Sequence, residues 1–139
     1  MKQQFVSIST EQTEQIAQAF GKSLHGGETV LLQGEMGAGK THFVKGLALG
    51  LGINDIVTSP TFALHNQYEG RFILNHFDFY RVDDPAEAEL LGLDEFFYDK
   101  NAVSAIEWSE NIACLLPAGC ITVTITKLSA EERRILIER

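Results

Sequence analysis

The chain has little cysteine, little positive charge and no long apolar run, and each shortage removes a class of protein. Its two cysteines in 139 residues are Cys114 and Cys120, with no Cys-x-x-Cys spacing and no histidine close enough to complete a metal site. They are expected to be buried free thiols. The four histidines, His25, His42, His65 and His76, are scattered, which argues against zinc. No apolar run approaches the roughly 18 to 20 residues that a membrane helix needs. Met1-Lys2-Gln3-Gln4 has no apolar signal core, so a cytoplasmic location is expected. Eleven Lys and Arg stand against nineteen Asp and Glu, a net charge of −8. A surface that neutralises a nucleic-acid backbone carries the opposite balance, so strong direct RNA or DNA binding is disfavoured. Arg133 and Arg134 lie among Glu131, Glu132 and Glu138, the pattern of a solvated surface. With 45% hydrophobic residues, no repeat and no linker, residues 1–139 are expected to form one domain that buries about two-thirds of its extended surface.

What is present is Gly34-Glu35-Met36-Gly37-Ala38-Gly39-Lys40-Thr41, which meets the eight-residue Gly-x-x-x-x-Gly-Lys-Thr pattern of a phosphate-binding loop. Before it, Glu28 to Gln33 is an apolar, β-branched run of strand length. After it, Phe43, Val44, Leu47 and Leu51 repeat at helical spacing. Gly34, Gly37 and Gly39 can take positive φ, so successive N–H groups can close around phosphate at the positive end of the following helix. Lys40 adds a mobile charge near the β- and γ-phosphates, and the Thr41 hydroxyl suits Mg²⁺. Candidate nucleotide contacts therefore run through Glu35, Met36, Gly37, Ala38, Gly39, Lys40, Thr41 and His42.

Around this loop the pattern predicts a strand at Phe5–Ile8, then a helix opened by a Ser9/Gln12 capping box, with Ile16, Phe20 and Leu24 on its buried face. Gly26-Gly27 stops that helix, and Gly50 and Gly52 end the one after the loop. Two strand-like runs, Phe62–Tyr68 and Arg71–Phe77, flank a tight Glu69-Gly70 turn. Pro85 opens a helix ending near Gly92, and Leu93–Tyr98 is read as a further short helical turn. Ala102–Ile106 is a strand, Trp108–Leu116 turns helical, and Ile121–Ile125 alternates as a strand with Ile135–Ile137 as its hairpin partner. The expected architecture is a three-layer α/β fold of the P-loop NTPase type. Its mainly parallel central sheet is extended by antiparallel strands, with helices on both faces.

A hydrolysing site also needs a carboxylate at a strand end. Asp78 and Glu107 compete for that place, both at predicted strand C-termini, where such sheets bind ligands. Ser59-Pro60-Thr61 stands where nucleotide switches carry a γ-phosphate-sensing hydroxyl, although spacing fits a plain turn as well. Spacing also does not choose whether Trp108 packs in the core, stacks on a partner or faces the nucleotide. The Asn-Lys-x-Asp signature of guanine specificity is absent, and no Asp is followed three residues later by Gly, so ATP is the expected nucleotide.

Taken in order, Gly34–Thr41, Ser59-Pro60-Thr61-Phe62, His76-Phe77-Asp78-Phe79-Tyr80-Arg81, Leu90-Leu91-Gly92 and Ile106-Glu107-Trp108-Ser109-Glu110 resemble the small bacterial TsaE (YjeE) ATPases of tRNA threonylcarbamoyladenosine modification. The likeness covers nearly the whole chain. It implies that Lys40 and Thr41 contact phosphates and Mg²⁺, that Glu107 is a second magnesium ligand, and that Asp78 is required for hydrolysis. It places Thr61, with Ser59, in a switch-like loop and makes Trp108 functionally sensitive. Thr10 and Arg133 are the nearest matches to the family's base- and ribose-binding residues. The resemblance further implies action on a complex of the transferase TsaD and its partner TsaB, with the activated threonylcarbamoyl group supplied by TsaC. Two rival readings are a small-molecule kinase and a nucleotide switch with negligible turnover. Against the first, Glu87, Glu89, Asp94, Glu95 and Asp99 face a single Lys100 between Pro85 and Asn101, a poor composition for a phosphate-closing lid.

Overall fold

The computed structural model describes residues 1–60 and 63–139. Seven strands form one sheet: β1 (Lys2–Ser7), β2 (Thr29–Gln33), β3 (His65–Glu69), β4 (Ile73–Asp78), β5 (Ala102–Glu107), β6 (Ile121–Lys127) and β7 (Arg133–Glu138). Their order is β1-β7-β6-β2-β5-β4-β3. The central pairs β6–β2, β2–β5 and β5–β4 are parallel, whereas β1–β7, β7–β6 and β4–β3 are antiparallel. Parallel strands require both faces to be covered, and alternation within the strands supplies two cores. Val30, Leu32, Val103 and Ala105 point to helices α1 (Thr10–Lys22) and α2 (Lys40–Gly50), where they meet Ala17, Phe20, Phe43 and Leu47. Leu31, Phe77 and Ile106 point the other way, to α3 (Pro85–Leu90) and the 3₁₀ helices Leu93–Tyr98 and Ser109–Leu115. Fully burying one side chain such as Phe43 contributes about 1.5–3 kcal/mol. The three-layer expectation therefore holds.

Several boundaries differ from the sequence pattern, each for a tertiary reason. β1 begins at Lys2 and ends at Ser7, because its polar residues pair with β7 from Lys2↔Glu138 to Ser7↔Arg133 and a backbone ladder is indifferent to side-chain polarity. Ile8 is exposed. Ser9 does cap α1, accepting from the Gln12 N–H at 3.1 Å, while the Gln12 side chain reaches back to the N–H of Ile8 at 2.7 Å. Ile16 is only partly buried, and Ala17 faces the core fully. The β3–β4 connection is a three-residue loop, since Glu69 pairs with Ile73; the predicted strand start at Phe62 lies outside the described residues. The cysteines are not buried as expected. Cys114 is exposed on the outer side of its 3₁₀ helix, whose buried residues are Ser109 and Ile112. Cys120 is half-buried, with its thiol donating to the carbonyl of Pro117 at 3.1 Å and pushed above its usual pKa by burial. Among the described residues, no helix is long and apolar enough to cross a membrane.

The largest departure concerns Gly50. It is the last residue of α2 rather than a helix stop, and together with Gly21 and Gly46 it lets α1 and α2 touch backbone to backbone. A Cβ at Gly21 would lie 2.5 Å from the carbonyl oxygen of Leu47, and one at Gly46 would lie 2.7 Å from the Cβ of Ala17 and overlap the carbonyl oxygen of Glu14. That contact holds α2, and with it the loop at its start, against the rest of the layer.

Candidate nucleotide-binding site

The buried strand β2 delivers the chain to the loop at its C-terminal end, and α2 starts at Lys40. The residue before it, Gly39, has φ 107°, a left-handed conformation that a side chain would strain. No side chain caps α2 and its first turn holds no acidic residue, whereas α1 has its Ser9 cap and Glu11. The first amide N–H groups of α2 and the positive end of its dipole are thus left for an outside anion. Gly37, at φ 82°, has nothing within 4 Å of where a Cβ would stand, so the loop opens onto free space.

Lys40 is only 7% exposed. Its ammonium donates to the Gly34 carbonyl at 2.9 Å and lies 4.5 Å from the centre of the Trp108 ring. Trp108 in turn packs on Tyr80, with ring centres 4.9 Å apart, and has a left-handed backbone at φ 59°. Such a conformation costs a non-glycine residue on the order of 1–3 kcal/mol and is retained where surrounding contacts impose it. Trp108 thus packs partly against the core on the α3 side and at the same time lies beside the loop through Lys40 and Tyr80.

Both competing carboxylates are in place. Asp78 and Glu107 end β4 and β5 and stand in register across that parallel pair. Asp78 accepts from the Tyr80 N–H at 2.9 Å and, at 3.4 Å, from the Ser59 hydroxyl. Burial pushes the Asp78 carboxyl above the ordinary aspartate range. The Tyr80 N–H opposes that rise and the Glu107 charge adds to it, with His76 and Ser59 acting as smaller opposing influences. Glu107 is 4% exposed, and one of its oxygens is 2.7 Å from Nε2 of the wholly buried His76.

A stability prediction follows from the Asp78 shift. A group whose pKa is higher in the folded than in the unfolded chain binds more protons when folded between the two values, so it lowers stability as pH rises through that window. Asp78→Asn can keep the Tyr80 hydrogen bond and has no charge to desolvate. Its melting temperature should match the parent's at a pH below the ordinary aspartate range. Above the window it should exceed the parent's. Melting curves in magnesium-free buffer across this pH range test it, and a difference independent of pH would refute it.

A cleft of about 460 Å³ gathers Gly37, Lys40, Thr41, Asp78, Glu107 and Trp108, with Met36, His42, Ser59, Tyr80 and Arg81 at its margins. On the other side of the loop a second cavity of about 500 Å³ is lined by Thr10, Gly37, Ala38, Gly39, His42 and Arg133, among others. The two cavities share Gly37, Gly39 and His42 and so continue around the loop. Thr61 lies outside the described residues, and Glu35 points to solvent as part of the exposed loop. His42 also contacts Glu14 of α1, Nδ1 to Oε2 3.1 Å. Arg133 departs from the solvated-surface expectation. Its guanidinium donates to the carbonyl of Ala38 at 2.8 Å and to that of Ser129 at 2.9 Å, tying the β6–β7 turn to the loop, whereas Arg134 stays exposed. A larger groove of about 650 Å³ between α1 and the β1 edge, lined by Phe5, Ile16 and Phe20, contains neither loop amides nor these carboxylates.

His76 and Tyr80 stood within the His76–Arg81 family motif but were given no role of their own, although the interruption of an apolar strand by Asn75-His76 was an available signal. The donor set around the loop also suits a particular metal. Among the described residues no three His, Cys, Asp or Glu side chains converge on a metal site. A hydroxyl and one or two carboxylates beside a phosphate cradle match Mg²⁺, which takes few protein ligands and keeps oxygen from phosphate and water.

Phosphate is what this loop is shaped to hold, and the parallel strand order around it is that of a P-loop nucleotide-binding α/β protein of the ATPase type. Within that class the chain belongs to the TsaE family. The family model described as Threonylcarbamoyl adenosine biosynthesis protein TsaE matches residues 7–135. The chain is 42% identical over 132 residues to a tRNA threonylcarbamoyladenosine biosynthesis protein TsaE of Treponema pallidum, covering 95% of this chain and 97% of the relative. It is 40% identical over 130 residues to the protein of the same name from Bacillus subtilis, covering 93% and 80%. The crystal structure of Bacillus subtilis YdiB superposes with a TM-score of 0.84 at 33% identity, covering 99% of this chain and 84% of that one.

Proposed function

We propose that this protein binds and hydrolyses ATP with Mg²⁺, and that it serves threonylcarbamoyladenosine modification of tRNA by acting on the TsaB–TsaD transferase complex. The observation that carries the chemical half is the pairing of Asp78 with Glu107 at adjacent strand ends, in one cleft with Lys40 and Thr41. Family membership and the names borne by the relatives support the pathway.

In this reading the loop amides from Glu35 to His42 bind the phosphate chain, and Lys40 exchanges the Gly34 carbonyl for phosphate oxygens. Thr41 and Glu107 are the residues that would hold Mg²⁺, whose chemistry there would be to neutralise phosphate charge. Asp78 orients the attacking water, and a carboxylate raised above its ordinary range accepts a proton more readily than a free one. Ser59, hydrogen-bonded to Asp78, serves as a switch residue at that position, and Thr61 is assigned the same role from the family resemblance. Trp108 ties Lys40 to Tyr80. Thr10 and Arg133 receive the ribose and base on the far side of the loop, with Arg133 already anchored there by Ala38. The charge of −8 favours a protein surface over tRNA as the principal partner, and the cytoplasm as the compartment follows from the tRNA substrate of the pathway.

The decisive measurement is the threonylcarbamoyladenosine content of tRNA from cells depleted of this protein. It should fall, and expression of the intact chain should restore it. Unchanged levels would overturn the pathway reading.

A further inference from the structure

His76 is the buried titratable group that this chemistry does not use. It sits in β4 between Asn75 and Phe77, and its side chain has no exposure at all, so it can touch neither nucleotide nor bulk water. It lies two residues before Asp78, whose register partner is Glu107, and is therefore the diagonal neighbour of Glu107 on the same sheet face. Nε2 meets the Glu107 carboxylate at 2.7 Å, while Nδ1 finds no partner among the described residues.

A core position gains nothing from this arrangement. Leaving one end of a buried imidazole unpaired carries an uncompensated desolvation cost, whereas Leu74 and Phe77 beside it fill the same sheet without such a loss. The benefit falls on Glu107. A nearly buried carboxylate is costly without a partner. With one oxygen held by an imidazole N–H, its rotation is restricted, and its remaining lone pairs stay available to the cleft it lines. Partners of this kind typically affect metal affinity by about 10- to 100-fold.

We infer that His76 is a positioning residue that fixes the Glu107 carboxylate for magnesium; this rests on the reading of Glu107 as a magnesium ligand. His76 acts through Glu107 and does not itself touch the metal. The test is calorimetric binding of ADP, with Mg²⁺ and again in EDTA, to the full chain and to four variants. His76→Leu, and His76→Met as a second apolar replacement should the first not fold, remove the donor. His76→Gln keeps an N–H near the position of Nε2. Glu107→Ala is the reference.

The apolar variants should weaken Mg²⁺-supported ADP binding about tenfold or more and leave binding in EDTA unchanged, and His76→Gln should recover most of the loss. Equal losses with and without Mg²⁺ would overturn the inference, because a merely structural role moves both. A His76→Gln variant no better than His76→Leu would overturn it too. If the apolar variants bind as the parent does while Glu107→Ala loses its magnesium response, the His76 role alone fails. If Glu107→Ala also keeps that response, the magnesium reading of Glu107 fails and takes the inference with it.

Discussion

Lys40→Ala should lower ATP turnover by at least about a hundredfold, the scale on which a single aligned charge or donor at a transferring group acts. The expectation follows from where the ammonium sits. It is nearly buried, it is held by the Gly34 carbonyl and the Trp108 face, and it shares the cleft with Asp78 and Glu107. A charge already withdrawn from water and fixed at the loop needs little rearrangement to meet phosphate. Lys40→Arg should not rescue the loss, since a planar fork is a poor replacement for a compact ammonium held between the Gly34 carbonyl and the Trp108 ring. Steady-state phosphate release and multiple-turnover tRNA modification, each measured with TsaB and TsaD present, read the effect. Turnover equal to the parent's would remove Lys40 from the chemistry.

The second large effect is structural, and two physical arguments give it opposite signs. Gly46 lies inside α2, where replacing glycine by alanine ordinarily stabilises a helix by about 0.5–1 kcal/mol. Here the added methyl would overlap the carbonyl oxygen of Glu14 and approach the Cβ of Ala17 to 2.7 Å. Backbone atoms cannot swing aside as a side-chain end can, and forcing helices apart in a close-packed layer costs about 1–3 kcal/mol. Packing should therefore win. Gly46→Ala should lower the melting temperature by roughly 3–5 °C for each kcal/mol of net loss at this chain length. It should also weaken nucleotide binding, because α2 carries Lys40 and Thr41 in its first turn. A melting temperature at or above the parent's would show that α1 and α2 can separate freely.

These two residues mark the boundary between what was legible in the chain and what was not. Lys40 was legible because a phosphate loop is local: its glycines, lysine and threonine are consecutive, and the strand and helix on either side follow from short-range periodicity. Asp78 and Glu107 were legible as candidates because each stands at the end of a predicted strand, Glu107 after a clean apolar run and Asp78 after one interrupted by Asn75-His76. Gly46 carried no such signal. Its neighbour Gly50 was read as a helix stop, the correct local meaning of glycine, and only the approach of α1 gives both residues their packing role. Arg133 was similar. Its surroundings in sequence are acidic and solvated, yet β-sheet pairing swings it onto the loop 95 positions earlier. Polarity of neighbours in sequence says little about neighbours in space.

By itself the sequence determined the class of ligand, the strand-loop-helix that receives it, the alternation that makes a three-layer sheet, and the family motifs. All of these are patterns within a few turns or strands of chain. The tertiary structure alone decided that the two carboxylates stand in register, that His76 holds Glu107 while Trp108 and Tyr80 pack against each other beside Lys40, and that three glycines set the distance between α1 and α2. The reason is that parallel pairing joins strands whose partners lie tens of residues apart. Register, diagonal contacts and helix approach distances are properties of that pairing and of packing, and no local run of residues encodes them.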